Sequence, residues 1–163
     1  MISVRRIRSG EAGLFKKLRL QALQDSPEAF GSSYEETAQR SAESWVDQVD
    51  ASAQGPDRAT FIAFQDNLPV GLAALYRMDA EPTMGELLQV WVSPELRGQG
   101  IAVMLVNSVF EWAAEMNFQV IVAGIMSGND HAIKFYEDYG FQGAGAIDVG
   151  CPSGSLVLKK EIK

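Results

Sequence analysis

The hydrophobic and polar positions of the chain follow two periods, a period of two that is typical of strands and a period near 3.6 that is typical of helices. Alternating or continuous apolar runs predict strands over 3–7, 59–65, 70–77, 86–92, 120–126 and 155–158. Helical spacing predicts helices over 9–23, from 41 onward, over 100–118 and over 131–139. This alternation in the second half of the chain predicts an α/β domain, a mixed sheet with helices on its faces.

Local signals indicate where several elements begin and which faces they bury. Ser9 and Glu11 predict the start of the first helix, with the Ser9 hydroxyl capping free N–H groups and the Glu11 carboxylate near the positive end of the helix dipole. Residues 66–69 predict the turn of a hairpin. Because residues 28–36 show no clear period, we expect only two helices before the main sheet. Helical spacing predicts buried faces made by Ala42, Trp45, Val46 and Val49, and by Ile101, Leu105, Val109 and Ala113.

The composition is that of an ordinary globular protein. The 163 residues are enough for one domain with a sizeable core, so we expect a single domain over 1–163. Apolar residues make up 47% and charged residues 21% of the chain, which excludes disordered and fibrous classes. Since no apolar run is long enough to span a bilayer and the first residues do not look like a signal peptide, we predict a cytoplasmic protein without a membrane partner.

The net charge and the numbers of cysteine and histidine residues restrict which binding partners and which disulfide or metal sites are expected. The chain has 21 acidic and 14 basic residues, and the resulting net charge of -7 argues against nucleic acid and slightly favours a cationic acceptor. Many soluble proteins are acidic for solubility alone. The one cysteine, Cys151, and the one histidine, His131, predict neither an internal disulfide nor a Cys/His-rich metal site. A monomer and a homodimer both stay open.

Residues 90–102 join an apolar strand to an amphipathic helix through the turn Arg97-Gly98-Gln99-Gly100. The glycines let the backbone approach an anion with no Cβ in the way, and the unpaired N–H groups of the first helical turn point toward it. Arg97 adds a planar cation that can bind two phosphate oxygens at once. The turn therefore predicts a site for a diphosphate-sized anion, a feature that several nucleotide-binding folds share.

A second motif, over residues 129–141, predicts a short capped helix closed by Gly140. Together the two segments resemble the GNAT superfamily of N-acetyltransferases. Arg97, Gly100 and Ala102 match the pattern Arg/Gln-x-x-Gly-x-Gly/Ala, and residues 129–141 match Asn-x-x-Ala-x-x-Phe-Tyr-x-x-x-Gly-Phe. Both motifs occur in the expected order and in the expected strand or helix context, and the resemblance extends over nearly the whole chain.

The resemblance implies a twisted mixed sheet in which the strands ending at Val92 and Met126 splay apart, with acetyl-CoA as the cosubstrate in the wedge between them. The chain departs from the commonest pattern at Gln99, where many relatives carry a second basic residue, and Lys134 is the nearest substitute for pairing with the 3′-phosphate. Alternatively, Trp91 packs on the sheet, Asn129 caps the last helix and Lys134 faces solvent. The implied coenzyme-binding residues are Val90, Trp91, Val92, Arg97, Gly98, Gln99, Gly100, Ile101, Ala102, Asn129 and Lys134.

The resemblance also implies direct attack of a primary amine on the acetyl thioester in a ternary complex. Tyr136 matches the family's proton donor to the leaving thiol, and Glu86 resembles the position from which many members take a proton from the amine through water. A free backbone N–H within 90–92 would polarise the carbonyl. The alternatives are that Tyr136 is core packing and that Glu86 is an exposed strand-end carboxylate. The competing acids are Glu28, Glu35 and Glu36.

Other interpretations of these residues make different predictions. A nicotinamide-binding domain would need a glycine where Val103 stands and an acidic residue after the strand over 120–126, and the chain has neither. A non-catalytic acyl-CoA-binding sensor of the same fold would keep the cradle without turnover, which Tyr136 argues against. Cys151 has no neighbouring base that would make it a nucleophile, and His131 is expected at the surface. The acceptor stays open between polyamine, aminoglycoside, amino acid and protein amines.

Overall fold

The computed structural model describes residues 1–26, 33–126, 129–143 and 155–162, which form one seven-stranded sheet with helices on both faces. The strands are β1 (Ile2–Arg6), β2 (Arg58–Gln65), β3 (Leu68–Arg77), β4 (Met84–Val92), β5 (Val120–Met126), β6 (Gln142–Gly143) and β7 (Ser155–Glu161). The helices are α1 (Ala12–Asp25), α2 (Tyr34–Ala38), α3 (Ala42–Ala53), α4 (Ile101–Glu115) and α5 (Asp130–Tyr139). None of these helices is both long and apolar enough to cross a bilayer.

The strands lie in the order β1-β2-β3-β4-β5-β7-β6. The β4–β5 pair is parallel and the other neighbouring pairs are antiparallel. A parallel pair needs a crossover connection, and α4 supplies it. The β2–β3 hairpin closes at Asp66 and Asn67, so β3 begins earlier than predicted, at Leu68. The mixed sheet with helices on its faces is thus confirmed.

Two hydrophobic clusters lie on opposite faces of the sheet. On the α1/α3 face, α1 and α3 pack against alternate residues of β2, β3 and β4; the cluster includes Phe15, Leu18, Ala22, Trp45, Val49, Ile62, Phe64, Leu72 and Trp91. On the α4/α5 face, the predicted α4 stripe packs on the intervening residues; this cluster includes Ile101, Leu105, Val109, Ala113, Phe61, Ala73, Leu75, Leu87, Ile121 and Tyr136. Burial on both faces explains why β5 is apolar almost throughout.

The predicted cap of α1 is wrong. The helix begins at Ala12 after Glu11, and no side chain caps it. The Glu11 carboxylate instead binds Arg5 of β1 at 2.7 and 3.0 Å and accepts from the Arg8 backbone N–H at 2.8 Å. The Ser9 hydroxyl accepts from the Gln54 side chain at 3.1 Å. The charge-assisted bonds to Arg5 set the start of the helix by a contact that lies outside it.

Two further predictions before the sheet are wrong. A third helix, α2, lies where no period was found, and its start is fixed by Ser33, whose Oγ accepts from the Glu36 backbone N–H at 3.2 Å and donates to the Glu36 carboxylate at 3.0 Å. Of the predicted buried face of α3, Ala42 is exposed and Val46 is 45% exposed, whereas Trp45 and Val49 are buried. The reason is that α3 buries only the narrow stripe that meets α1 and β2.

Candidate active site

The strands β4 and β5 separate partway along their length. They pair only through Met84 with Val120, Gly85 with Ile121 and Glu86 with Val122. Beyond this point β4 continues to Val92, while β5 continues to Met126 along its other neighbour, β7. A gap therefore opens at the carboxyl ends of two parallel strands, where open α/β sheets bind ligands. The predicted splay of these strands is confirmed.

A β-bulge changes the direction of β4 within this gap. Leu72 of β3 pairs with Trp91, and Ala74 pairs with Leu88, so β4 carries one residue more than β3 between the two pairs. Gln89 lies in the bulge with a φ of 62°. Because the extra residue inverts the alternation, Trp91 joins the α1/α3 face instead of the face that an uninterrupted strand would give it. The bulge also takes backbone amides of residues 89–90 out of the regular β3–β4 register.

The glycine turn follows the end of β4 after a short 3-10 turn over Pro94–Leu96. Gly98 and Gly100 have φ values of 86° and 83°, a region that favours glycine. A Cβ at either position would meet no atom within 4 Å, so the conformation and not crowding by the protein requires glycine. The helix α4 begins at Ile101 without a side-chain cap. The first backbone N–H groups of α4 therefore lie next to Gly98 and Gly100, where no side chain would keep an anion away.

Two predicted phosphate ligands have partners within the protein. Arg97 donates from Nε to the Val92 carbonyl oxygen at 3.0 Å and from Nη2 to the Asp25 carboxylate. Lys134 is 78% exposed and forms an ion pair with Asp138 at 3.2 Å. The alternative of a solvent-facing Lys134 therefore describes this structure, and the Nε–Nη2 edge of Arg97 binds the protein itself.

The last helix has the predicted signals at both ends. The Asn129 side chain accepts from the Ala132 backbone N–H at 3.3 Å, which is the capping role weighed from the sequence. Gly140 ends the helix with a φ of 117°. His131 is exposed, as expected. Cys151 and Glu28 lie outside the described residues.

Tyr136 is buried in an aromatic cluster. Its side chain is 8% exposed, and its ring centroid lies 5.2 Å from those of Phe135 and Phe141. Burial raises the pKa of the Tyr136 phenol above its ordinary value of 10.0, so the group stays protonated at neutral pH. Val92 and Ile101 belong to the same buried cluster, so the fold brings Tyr136 to the face where the glycine turn begins.

Glu86 is the last residue of β4 that pairs with β5, so it stands where the gap opens. It lies opposite Tyr76 of β3, whose hydroxyl accepts from Gln48 of α3 at 3.1 Å, and this places Glu86 on the α1/α3 face. Burial raises the pKa of the Glu86 carboxyl above its ordinary value. Of the competing acids, Glu35 and Glu36 are exposed on α2.

Three guanidinium groups lie around Tyr76 on the α1/α3 face. Arg58, paired with Tyr76 across β2 and β3, lies 4.4 Å from the centroid of its ring. Arg40 donates to Gln48 at 2.6 Å, and Gln48 donates to the Tyr76 hydroxyl. Arg19 of α1 is 6% exposed; burial lowers its pKa to about 10, with Tyr76 raising it and Arg40 lowering it further. We call Arg19, Arg40 and Arg58 the arginine cluster.

The comparisons with known proteins agree with this geometry. Residues 20–141 match the family model "Acetyltransferase (GNAT) family". The chain belongs to the GNAT family. A GNAT acetyltransferase from Streptococcus pneumoniae superposes with a TM-score of 0.80 at 17% identity, with all of both chains covered. A Salmonella typhimurium protein described as an acetyltransferase, solved with its cofactor acetyl-CoA, gives a TM-score of 0.78 at 16% identity over 100% of this chain and 95% of that chain.

The GNAT family uses acetyl-CoA as its cosubstrate. Among sequence relatives, human N-acetylaspartate synthetase is 34% identical over 93 residues, which are 57% of this chain and 30% of that protein. The chain thus spans under a third of the curated relative's length.

Sequence reasoning missed three features of the site: the bulge at Gln89, the Asp25 carboxylate and the arginine cluster. The bulge has no sequence signal because Gln rarely adopts a positive φ. Asp25 and the cluster act through contacts between residues that are distant along the chain.

Proposed function

We propose that this GNAT protein is an N-acetyltransferase that moves the acetyl group of acetyl-CoA directly to a primary amine in a ternary complex. The observation that carries the proposal is the gap between β4 and β5, which opens at Glu86, together with the glycine turn that follows a few residues after the end of β4. A gap with an anion site at its end suits a long ligand with a diphosphate, and coenzyme A is such a ligand.

In this proposal the coenzyme lies along the gap. Its diphosphate binds the backbone amides of residues 98–102, and its pantetheine arm lies along Val90, Trp91 and Val92 like an added strand. Asn129 contributes from the start of α5. Lys134 would have to leave Asp138 to reach the 3′-phosphate, and we expect it to contribute less than the amides.

Acetyl-CoA supplies a thioester carbonyl to which the acceptor nitrogen bonds as the carbon–sulfur bond breaks. Glu86 takes the proton that the nitrogen loses, through water, and its raised pKa makes it a better base than an exposed carboxylate. Tyr136 donates a proton to the departing sulfur. A backbone N–H at the β4 bulge donates to the carbonyl oxygen. The phenol then regains a proton from solvent and Glu86 releases one to solvent, so both groups return to their starting states.

The arginine cluster indicates the class of acceptor. Its three cations lie on the face of Glu86, around Tyr76, which stands opposite Glu86. An amine that also carries a carboxylate would be attracted there, whereas a polyamine would be repelled. The name of the human relative gives an N-acetylated amino acid as its product. We therefore propose an amino acid or a similar amino carboxylate as the acceptor, in place of the cationic acceptor that the net charge slightly favoured.

Release of free thiol from acetyl-CoA, measured across a panel of amines, tests both proposals. The panel pairs each amino acid with the amine that lacks its carboxylate, and it includes a polyamine, an aminoglycoside and a peptide. We expect turnover with at least one amino acid and a kcat/KM at least about tenfold lower for its decarboxylated partner, as loss of a charged hydrogen bond predicts. Turnover with the polyamine alone would refute the acceptor class. Tight coenzyme binding without turnover on any amine would favour the sensor.

A further inference from the structure

Asp25, the last residue of α1, is the centre of a hydrogen-bond cluster that the proposed chemistry does not use. Its Oδ2 atom accepts from Ser26 Oγ at 2.7 Å, from Trp91 Nε1 at 2.9 Å and from Arg97 Nη2. Trp91 and Arg97 stand 66 and 72 residues further along the chain. One carboxylate oxygen thus joins α1 to the end of β4 and to the start of the glycine turn.

Arg97, the first residue of the glycine turn, is hydrogen-bonded both to the end of β4 and to Asp25. Its Nε donates to the carbonyl oxygen of Val92, the last residue of β4, at 3.0 Å, while Nη2 reaches Asp25. The two donors belong to the same edge of the guanidinium, so this edge cannot also bind two phosphate oxygens. In this arrangement the Nε–Nη2 edge of Arg97 fastens the chain that follows β4, and we expect the backbone amides of the turn to bind most of the diphosphate.

The electrostatics of Asp25 suit this arrangement. Burial raises the pKa of the carboxyl, but the hydrogen bonds from Trp91, Ser26 and Arg97 outweigh burial and hold the pKa below its ordinary value. Asp25 is therefore ionised at neutral pH, and its bonds are charge-assisted. Because the Arg97 and Asp25 side chains are 46% and 25% exposed, their ion pair adds little to global stability. The effect of the ion pair is to fix the conformation of the segment between Trp91 and Arg97.

Residues 91–97 are held at both ends, because the side chains of Trp91 and Arg97 both donate to Asp25. At one end the Trp91 side chain is 4% exposed and packs among α1 and α3, with the bulge at Gln89 having turned it toward them. At the other end Arg97 immediately precedes Gly98. Amides bind an anion well only when they converge on it before it arrives, and a misplacement of about 1 Å is costly. The orientation of the turn thus depends on the oxygen that both ends share.

We propose that Asp25 is a positioning residue for coenzyme binding, which acts through Trp91 and Arg97 by holding residues 91–97 so that the amides of the glycine turn converge. This inference rests on the proposed function of the gap as a coenzyme site. It makes Arg97 a support of the turn more than a direct ligand of the diphosphate.

The test measures the Kd of coenzyme A by calorimetry, and the KM and kcat for acetyl-CoA, in Asp25→Ala and Asp25→Asn. We expect Asp25→Ala to raise Kd and KM about tenfold, the effect of a lost charge-assisted bond, with kcat within about twofold. Asp25→Asn keeps an acceptor oxygen but not the charge, so it should fall between the unaltered protein and Asp25→Ala. The matched control is Asp66→Asn, since the Asp66 side chain is 81% exposed and, among the described residues, its carboxylate pairs only with the terminal amino group.

A double-mutant cycle separates positioning from independent contacts. If Asp25 acts in part through Arg97, the loss of coenzyme A affinity in the variant with both Asp25→Ala and Arg97→Ala should be smaller than the sum of the losses in the two single variants. Additive losses would overturn the inference. Asp25 variants that bind like Asp66→Asn would overturn it while the proposed function stands. Failure of the unaltered protein to bind coenzyme A would overturn both.

Discussion

Replacing Tyr136 by Phe removes one oxygen atom, that of the proposed proton donor, and little else. The ring keeps its contacts with Phe135 and Phe141, each 5.2 Å away between centroids. Loss of a buried hydroxyl costs on the order of 1 kcal/mol, which lowers Tm by about 2–4 °C in a chain of this size. The folded population at 25 °C is therefore unchanged, and any loss of rate is chemical.

The expected loss of rate follows from the role of the phenol. Proton donation by a positioned side chain contributes about 10²–10⁴-fold. Burial raises the pKa of Tyr136, which makes the transfer to sulfur more uphill and places the effect at the low end. We therefore expect kcat to fall about 100-fold, or about 2.7 kcal/mol, with the Kd of coenzyme A within about twofold.

Thiol release at saturating acetyl-CoA and acceptor measures this kcat, and calorimetry measures the Kd. Tyr139→Phe is the matched control, because the Tyr139 hydroxyl lies on the same helix and donates to Asn107 at 2.6 Å without a proposed role in catalysis. That variant should lose stability and keep kcat within about twofold. An equal kcat in Tyr136→Phe and the unaltered protein would remove Tyr136 from the mechanism.

Two further predictions concern the glycine turn and the proposed base. Gly100→Ala forces a side chain into a φ of 83° at a cost of about 1–2 kcal/mol, so calorimetry should show a coenzyme affinity about tenfold weaker. The control variant Gly143→Ala changes a strand position in open space and should bind coenzyme A normally. Equal affinities in the two variants would contradict the anion site. Burial raises the pKa of Glu86, so kcat/KM should fall as the pH drops through a value above the ordinary 4.5. Glu86→Gln should lower the rate about tenfold or more and should no longer show this fall of kcat/KM at acidic pH. Identical pH profiles for the variant and the unaltered protein would exclude Glu86 as the base.

The sequence carried most of the fold because most of its elements are locally consistent. The α4 stripe of Ile101, Leu105, Val109 and Ala113 is buried as predicted, and β5 has the predicted bounds. The helix α2 was missed because five residues are too few to show a period, although the Ser33 and Glu36 pair is a capping signal. The predicted capping role of Ser9 comes from the local helix-start signal that Ser9 and Glu11 form. It fails because Glu11 binds Arg5 of β1, a contact that no local pattern contains.

In the candidate site, too, local motifs could be predicted from the sequence, whereas contacts between distant residues could not. The glycine turn and the Asn129 cap are short local motifs, and the structure contains both as predicted. The bulge at Gln89 depends on the register between β3 and β4, which no single strand specifies. The two partners of Arg97, the Val92 carbonyl and Asp25, show why a basic residue beside a glycine turn need not bind the anion itself.

The coenzyme site proposed between β4 and β5 is tested most directly by a crystal structure of this protein with coenzyme A bound. We expect the diphosphate on the backbone amides of residues 98–102 and the pantetheine arm between β4 and β5 beside residues 90–92. A coenzyme bound elsewhere on the molecule, or a β4–β5 gap closed by pairing beyond Glu86, would contradict it.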